Sequence, residues 1–475
     1  MITERFSPSF ANEESATATI TPESGAVHIP EGPSVTVAQG KLVGLQVSVG
    51  NASVDTYFGV PYAESPMRFS RAKEVNSWSG FKTVIQKKKR CARDSADSAD
   101  EDCLYINIWS PAEDRSLCAL IWFIGDGLRG ETQSTEVEFA TFSAAENIIV
   151  FSVSYRVGPF GFFNASIDDV QGDLGLQDQI LALKWVYDNI EAFRGMKDMI
   201  TVGGYGFSGA IAGLHLLDPT TSKLFQKVVL LSGNPLLLNR LLFENTYEVY
   251  LNHVGCYTGE RSTDLTCLKD KPFSEILSDL KFGPISKGGF ELPKGFKSHS
   301  AQNKQILFGS YSRSGWKILP SITDFLSSKR PDESELVMLK ETIEREFGFT
   351  FASVDNRRLF RTYAPSAPAN LQDNVTKEII ELVTEMNQDL LYRCPDQILA
   401  KILAQHSAVR IFELNYPHSA PVDEVRFLLN WEPPNDDRVE KMQFELSRAL
   451  SQQIAKFIKG RCVLKSQNDA LLRSV

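Results

Sequence analysis

The chain reads as an α/β protein with a mostly parallel central sheet and helices on both of its faces. Three observations carry that reading. Short apolar runs rich in Val, Ile and Phe recur along the sequence, segments with helical apolar spacing separate them, and one run passes directly into a helix through a glycine-rich turn. Strands buried on both faces are nearly continuous in apolar residues, and their alternation with helices favours parallel crossovers. In chain order, Cys118–Ile124 and Ile148–Tyr155 read as buried central strands, and Leu176–Phe193 has helical spacing. Ile200–Tyr205 is a β-branched strand that runs into a helix reaching Leu217, and Lys227–Ser232 is the next strand. Gln305–Ser310 and Val409–Leu414 are further strands, the second preceded by a helix over Pro395–Gln405; Glu440–Lys459 is an amphipathic closing helix.

The bulk numbers narrow the class. A length of 475 residues allows one large domain or several smaller ones. No internal repeat or strong linker interrupts residues 34–475, which favours one domain there. Residues 1–33 are rich in Ser, Thr, Ala, Glu and Pro, and such a stretch buries too little apolar surface to offset its ordering entropy, so a disordered tail is expected. The net charge of −9 argues against nucleic-acid binding. No apolar run is long enough to span a bilayer. The first residues lack the basic and apolar regions of a signal peptide. The seven cysteines form no CxxC pair with metal-site spacing, and no metal or cofactor is expected.

Several motifs, taken in order, resemble one family. Tyr57-Phe-Gly-Val-Pro-Tyr-Ala63 is followed by Met67-Arg-Phe69 and Trp78-Ser-Gly80, and then by Glu101-Asp-Cys-Leu-Tyr-Ile-Asn-Ile-Trp109. Ser154-Tyr-Arg-Val-Gly158, Gly172-Asp-Leu-Gly-Leu-Gln-Asp-Gln179 and Ala182-Leu-Lys-Trp-Val186 follow. With these residues the chain resembles the type-B carboxylesterase/cholinesterase family over nearly all of 34–475, which implies the α/β-hydrolase fold. The resemblance implies disulfides Cys91–Cys103 and Cys256–Cys267, and structural ion pairs Arg68–Glu101 and Arg156–Asp178. Cys394 resembles half of a third bridge, with Cys462 as a substitute partner, while Cys118 reads as a buried thiol.

The same resemblance implies a site whose chemistry has been removed. In the family a nucleophile elbow, G-x-S-x-G, lifts a serine hydroxyl above the sheet. Here Gly204 is the first glycine, Gly206 stands in the serine's place, and Ser208 is the last residue of the motif. The acid's position is Ser314, the base's is Pro421, and the oxyanion loop reads Gly125-Asp126-Gly127. A carboxylate at Asp126 opposes stabilisation of an oxyanion. A shifted elbow offers Ser208 as a fallback nucleophile, with His418 as the fallback base; the alternative role for Ser208 is to cap the helix. His215 reads as a packing residue of that helix.

The functional expectation is therefore a pseudoenzyme that acts in recognition or adhesion. In lacking a complete triad the chain is similar to the family's non-catalytic members, such as neuroligins, neurotactin and glutactin. Two alternatives stay open: a remodelled ester hydrolase using Ser208, and a carrier of a hydrophobic small ligand in the old gorge. The partner is unnamed, and a homodimer is open. The basic run Lys87–Arg90 borders acidic residues Asp94–Asp102, which reads as a locally neutralised surface loop. Paired cysteines point to an oxidising compartment. Asn51, Asn164 and Asn374 head glycosylation sequons.

Overall fold

Strand alternation sets the layering. In the strand Leu117–Ile124, Ala119, Ile121 and Phe123 belong to one buried cluster, while Cys118, Leu120 and Trp122 belong to another. Successive side chains point to opposite faces of a sheet, so this run is apolar throughout because both faces are covered. The first cluster also holds Ala182, Leu183 and Val186 of one helix and Ala210, Ile211 and Leu214 of another. The second holds Phe139 and Phe142 together with Leu450, Ile454 and Ile458. Each such Leu or Ile contributes roughly 1.5–3 kcal/mol by leaving water.

The computed structural model describes residues 32–91, 99–112, 116–125, 136–167, 170–240, 246–277, 298–311, 385, 388–414, 438–460 and 473–474. The compact unit described here spans Gly32–Val475. The polar tail expected over 1–33 lies outside the described residues up to position 31. The main sheet comprises β1 (Leu45–Val49), β2 (Ala52–Pro61), β3 (Tyr105–Pro111), β4 (Leu117–Ile124) and β5 (Ile148–Ser154). It continues with β6 (Gly195–Tyr205), β7 (Lys227–Leu231), β8 (Gln305–Tyr311), β9 (Ala408–Leu414) and β10 (Arg473–Ser474). Their spatial order is β10-β9-β8-β7-β6-β4-β5-β3-β2-β1.

The block from β5 to β9 is parallel, whereas β1, β2, β3 and β10 join antiparallel at the flanks. The parallel centre matches the sequence expectation. The antiparallel flank β1–β3 was missed, because Gly59 and Pro61 interrupt its apolar pattern. Helix α1 (Glu136–Glu146) and helix α5 (Arg438–Lys459) supply the second cluster. Helices α2 (Leu174–Asn189), α3 (Gly206–Leu217) and α4 (Cys394–Leu403) supply the first. The expected helix up to Phe193 ends early: after Asn189 the chain tightens into a 3₁₀ turn, Ile190–Phe193, and Arg194 turns left-handed at φ 71°.

This topology also decides where a ligand can reach the sheet. From β4 the chain crosses to β5 on one side, and β6 then returns to the other side of β4. At such a reversal the connections diverge and leave a crevice beyond the carboxyl ends of the strands. Gly125 stands just past β4 and Gly206 just past β6, at the carboxyl ends of these two strands.

Candidate functional site

The junction of β6 and α3 is a sharp turn made possible by missing side chains. Tyr205 is extended (φ −113°, ψ 144°), and Gly206 opens the helix with φ +57°. For a side chain with Cβ this left-handed geometry costs about 1–2 kcal/mol, which glycine avoids. The helix then folds back onto its own strand. A Cβ on Gly204 would lie 2.7 Å from the Ser208 carbonyl carbon, and one on Gly209 would lie 2.8 Å from the Gly204 oxygen. The turn is thus sharp, and the residue that opens the helix is a glycine.

Ser208 lies within the first turn, and its hydroxyl faces the end of β4. Oγ donates to the Gly125 carbonyl oxygen at 2.5 Å. The Tyr155 hydroxyl lies 2.8 Å from Ser208 Oγ and donates to the same carbonyl at 3.2 Å. Ser208 and Tyr155 are 1% and 0% exposed. The helix-capping role expected for Ser208 is therefore corrected: the helix begins without a side-chain cap, and this hydroxyl crosses to the neighbouring loop instead. The reason is geometric, since a residue already inside the first turn points away from the orphan amides that a capping residue serves.

His215 offers no base to this group. Seven residues along a helix amount to about 10 Å of rise. Its Nε2 instead meets Gln179 Oε1 at 2.9 Å, and its ring packs against Phe123. Complete burial pushes its pKa down to about 4, so it stays neutral near physiological pH.

The flanking scaffold is held by charge pairs and disulfides. Arg156, just after β5, donates Nε and Nη2 to the two carboxylate oxygens of Asp178 on α2, each at 2.7 Å, and its backbone amide adds a third bond. Both partners are almost fully buried. Arg68 forks onto Glu101 and reaches the carbonyls of Lys269 and Lys271. It thereby links the loop closed by Cys91–Cys103 to the segment following Cys256–Cys267. Cys118 is buried. Asp126, Gly127, Ser314, Asn374, His418, Pro421 and Cys462 lie outside the described residues.

One buried acid escaped the sequence reading. Asp396 sits in the first turn of α4, 2% exposed, and accepts a hydrogen bond from Asn234 Nδ2 at 2.5 Å. Burial pushes its carboxyl up to about 8, with the Asn234 bond opposing the rise and the charge of Glu413 adding to it. Asn234 lies just past β7. Nearby at the end of β8, Ser310 Oγ accepts from Gln388 Nε2 at 3.3 Å. An acid three residues into a helix ordinarily serves the exposed helix terminus, so composition alone had no means of marking this one as buried.

Two spaces are described. The crevice beside Cys91–Cys103, with Phe69, Arg156 and Phe160 on its walls, has a volume of about 10 Å³, room for one water. A shallow groove of about 710 Å³ runs past Glu191, Arg194, Lys197 and Asp198. It lies at the amino end of β6, a strand length of roughly 30 Å from Gly206. No group of three His, Cys, Asp or Glu residues gathers in metal-binding geometry among the described residues. Nor is any described helix long and apolar enough to cross a membrane.

The decisive comparison is with whole families. The family model described as Carboxylesterase family matches residues 31–465, most of the chain. The chain belongs to the carboxylesterase family. Individual relatives agree with that assignment. Acetylcholinesterase 4 of Caenorhabditis briggsae is 31% identical over 279 residues, covering 52% of this chain and 44% of the relative. Cholinesterase of Mus musculus is 31% identical over 304 residues, 56% of this chain and 50% of the relative. Liver carboxylesterase 1 of Oryctolagus cuniculus is 32% identical over 273 residues, 52% and 48% respectively. The chain spans about half the length of these relatives. In this carboxylesterase-family chain, the junction of β6 and α3 turns through a left-handed glycine.

Proposed function

We propose that this member of the carboxylesterase family is a non-hydrolytic protein that uses the hydrolase scaffold for recognition or adhesion. One observation carries the reading. Gly206 occupies the tip of the elbow in the left-handed conformation and presents no nucleophile. An acyl-transfer site on this scaffold requires a nucleophile at that tip, with a base and an oriented acid behind it. In the sequence the corresponding base and acid positions are Pro421 and Ser314, neither of which can fill those roles.

The relatives' names are those of enzymes, and this favours a second reading, hydrolysis through Ser208. The surroundings of Ser208 speak against it. Its proton is given to the Gly125 carbonyl, its oxygen lies in hydrogen-bond contact with the Tyr155 hydroxyl, and it is buried. Attack on an ester would first require both bonds to break.

Treatment of the purified full chain with a fluorophosphonate probe and an aryl ester separates the readings. Neither labelling nor turnover is expected above that of a Ser208→Ala control. Labelling that disappears in Ser208→Ala would overturn the proposal and establish the hydrolase reading. For the recognition role itself, the glycosylated chain should retain extracellular-surface proteins on a column, and surface binding should survive Ser208→Ala.

A further inference from the structure

Three asparagines head sequons, and the fold separates two of them sharply. Asn51 lies in the two-residue turn between β1 and β2, where Val49 pairs with Ala52. Gly50 begins that turn with φ +57°, and a Cβ placed on it would find nothing within 4 Å. Gly at the first central position suits the turn type whose twist matches a hairpin. Both Gly50 and Asn51 are exposed, and Ser53 is half-buried on the outgoing strand. β1 is the last strand of the sheet order, and Leu45 on it is exposed.

Asn164 is the opposite case. It is 8% exposed, and its Oδ1 accepts hydrogen bonds from the Ser166 amide at 2.7 Å and from the Ser166 hydroxyl at 3.1 Å. Its side chain also lies against the turn at Gly172, where an added Cβ would come within 2.9 Å of Asn164 Cβ. A sugar on that amide would have to displace these contacts.

We propose that Asn51 carries an N-linked glycan in the mature protein and that Asn164 does not. The second, independent observation concerns compartment: Cys91–Cys103 and Cys256–Cys267 form two disulfides. Such bonds belong to oxidising surroundings, and the secretory lumen is also where asparagine-linked glycans are added. In the transfer, the Asn51 amide nitrogen bonds to the anomeric carbon of a lipid-pyrophosphate-linked oligosaccharide. The bond from that carbon to the pyrophosphate oxygen breaks, the lipid pyrophosphate leaves with its electron pair, and the amide loses one proton. The glycan stands at one end of β1, the last strand in the sheet order. On sequence Asn164 is an equal candidate; in the fold its amide oxygen is engaged by Ser166 and the residue is buried.

The test uses the full chain carried into the animal secretory pathway by an added cleavable leader. Glycans are removed enzymatically in heavy-oxygen water, which marks each formerly occupied asparagine for mass spectrometry. The mark is expected at Asn51 and absent at Asn164. Asn51→Gln and Ser53→Ala should each remove the mark and one step of gel mobility, whereas Ser53→Thr, which keeps the sequon, should retain both. An unmarked Asn51 in soluble, disulfide-bonded product overturns the proposal, as does a marked Asn164. The readout is independent of ester turnover, so this inference and the non-hydrolytic reading can fail separately.

Discussion

Asp396 should make this protein less stable as the solution becomes more alkaline through the neutral range. Its carboxyl has an ordinary value of 3.8 and is raised to about 8 in the folded chain. Between those values the native state holds a proton that the unfolded chain has released. Stability falls with rising pH wherever the native state binds the extra proton. The stabilising proton is present in full below the unfolded value and is lost as pH climbs towards the folded one. Asp396→Asn retains shape and a partner for Asn234 but never ionises. The unfolding free energy of the variant minus that of the wild type should therefore grow by up to about 1.4 kcal/mol per pH unit, or about 2.7 kcal/mol from about pH 5 to about pH 7. Glu413, Arg393 and Asp389, the charged groups around α4 and β9, are common to both proteins and cancel in the difference. Urea unfolding followed by tryptophan fluorescence measures it at each pH. A difference that stays constant across the interval would refute the reasoning, because the carboxylate would then be ionised in the native state throughout.

Other perturbations probe the elbow and its frame. Gly206→Ser should yield no ester turnover, and the left-handed φ should cost about 1–2 kcal/mol in urea unfolding; a working esterase from this single change would show that base and acid survive. Asp178→Asn leaves the Arg156 guanidinium buried without its counter-charge and should destabilise by about 3–5 kcal/mol. A loss under about 1 kcal/mol would mean that water screens the pair. Cys91→Ser combined with Cys103→Ser opens a loop of sequence separation 12. The entropy of the unfolded chain then rises, and a loss of about 3 kcal/mol is expected from unfolding curves without reductant.

Some of this was legible from one dimension because the signals are local or strongly patterned. The runs at Cys118–Ile124 and Ile148–Tyr155 had to be central strands, since a stretch apolar at every position is stable only with both faces covered. The strand ending in Gly204-Tyr-Gly206 had to turn sharply, and the structure places a left-handed glycine there. The cysteine pairs followed from the family resemblance, and the two bridges lie where that resemblance put them. Tertiary structure decided matters that depend on residues distant in sequence. Ser208 is separated from Gly125 by 83 positions, and only the adjacency of β4 and β6 brings its hydroxyl to that carbonyl. Asn234 and Asp396 are 162 positions apart, and the burial that keeps the acid protonated comes from elements meeting over the sheet's edge. Asn51 and Asn164 have the same sequon chemistry, yet one sits at an open hairpin turn and the other is closed within a packed loop. Sequence determines which groups are available; exposure, and with it protonation, reactivity and access, belongs to the packed chain.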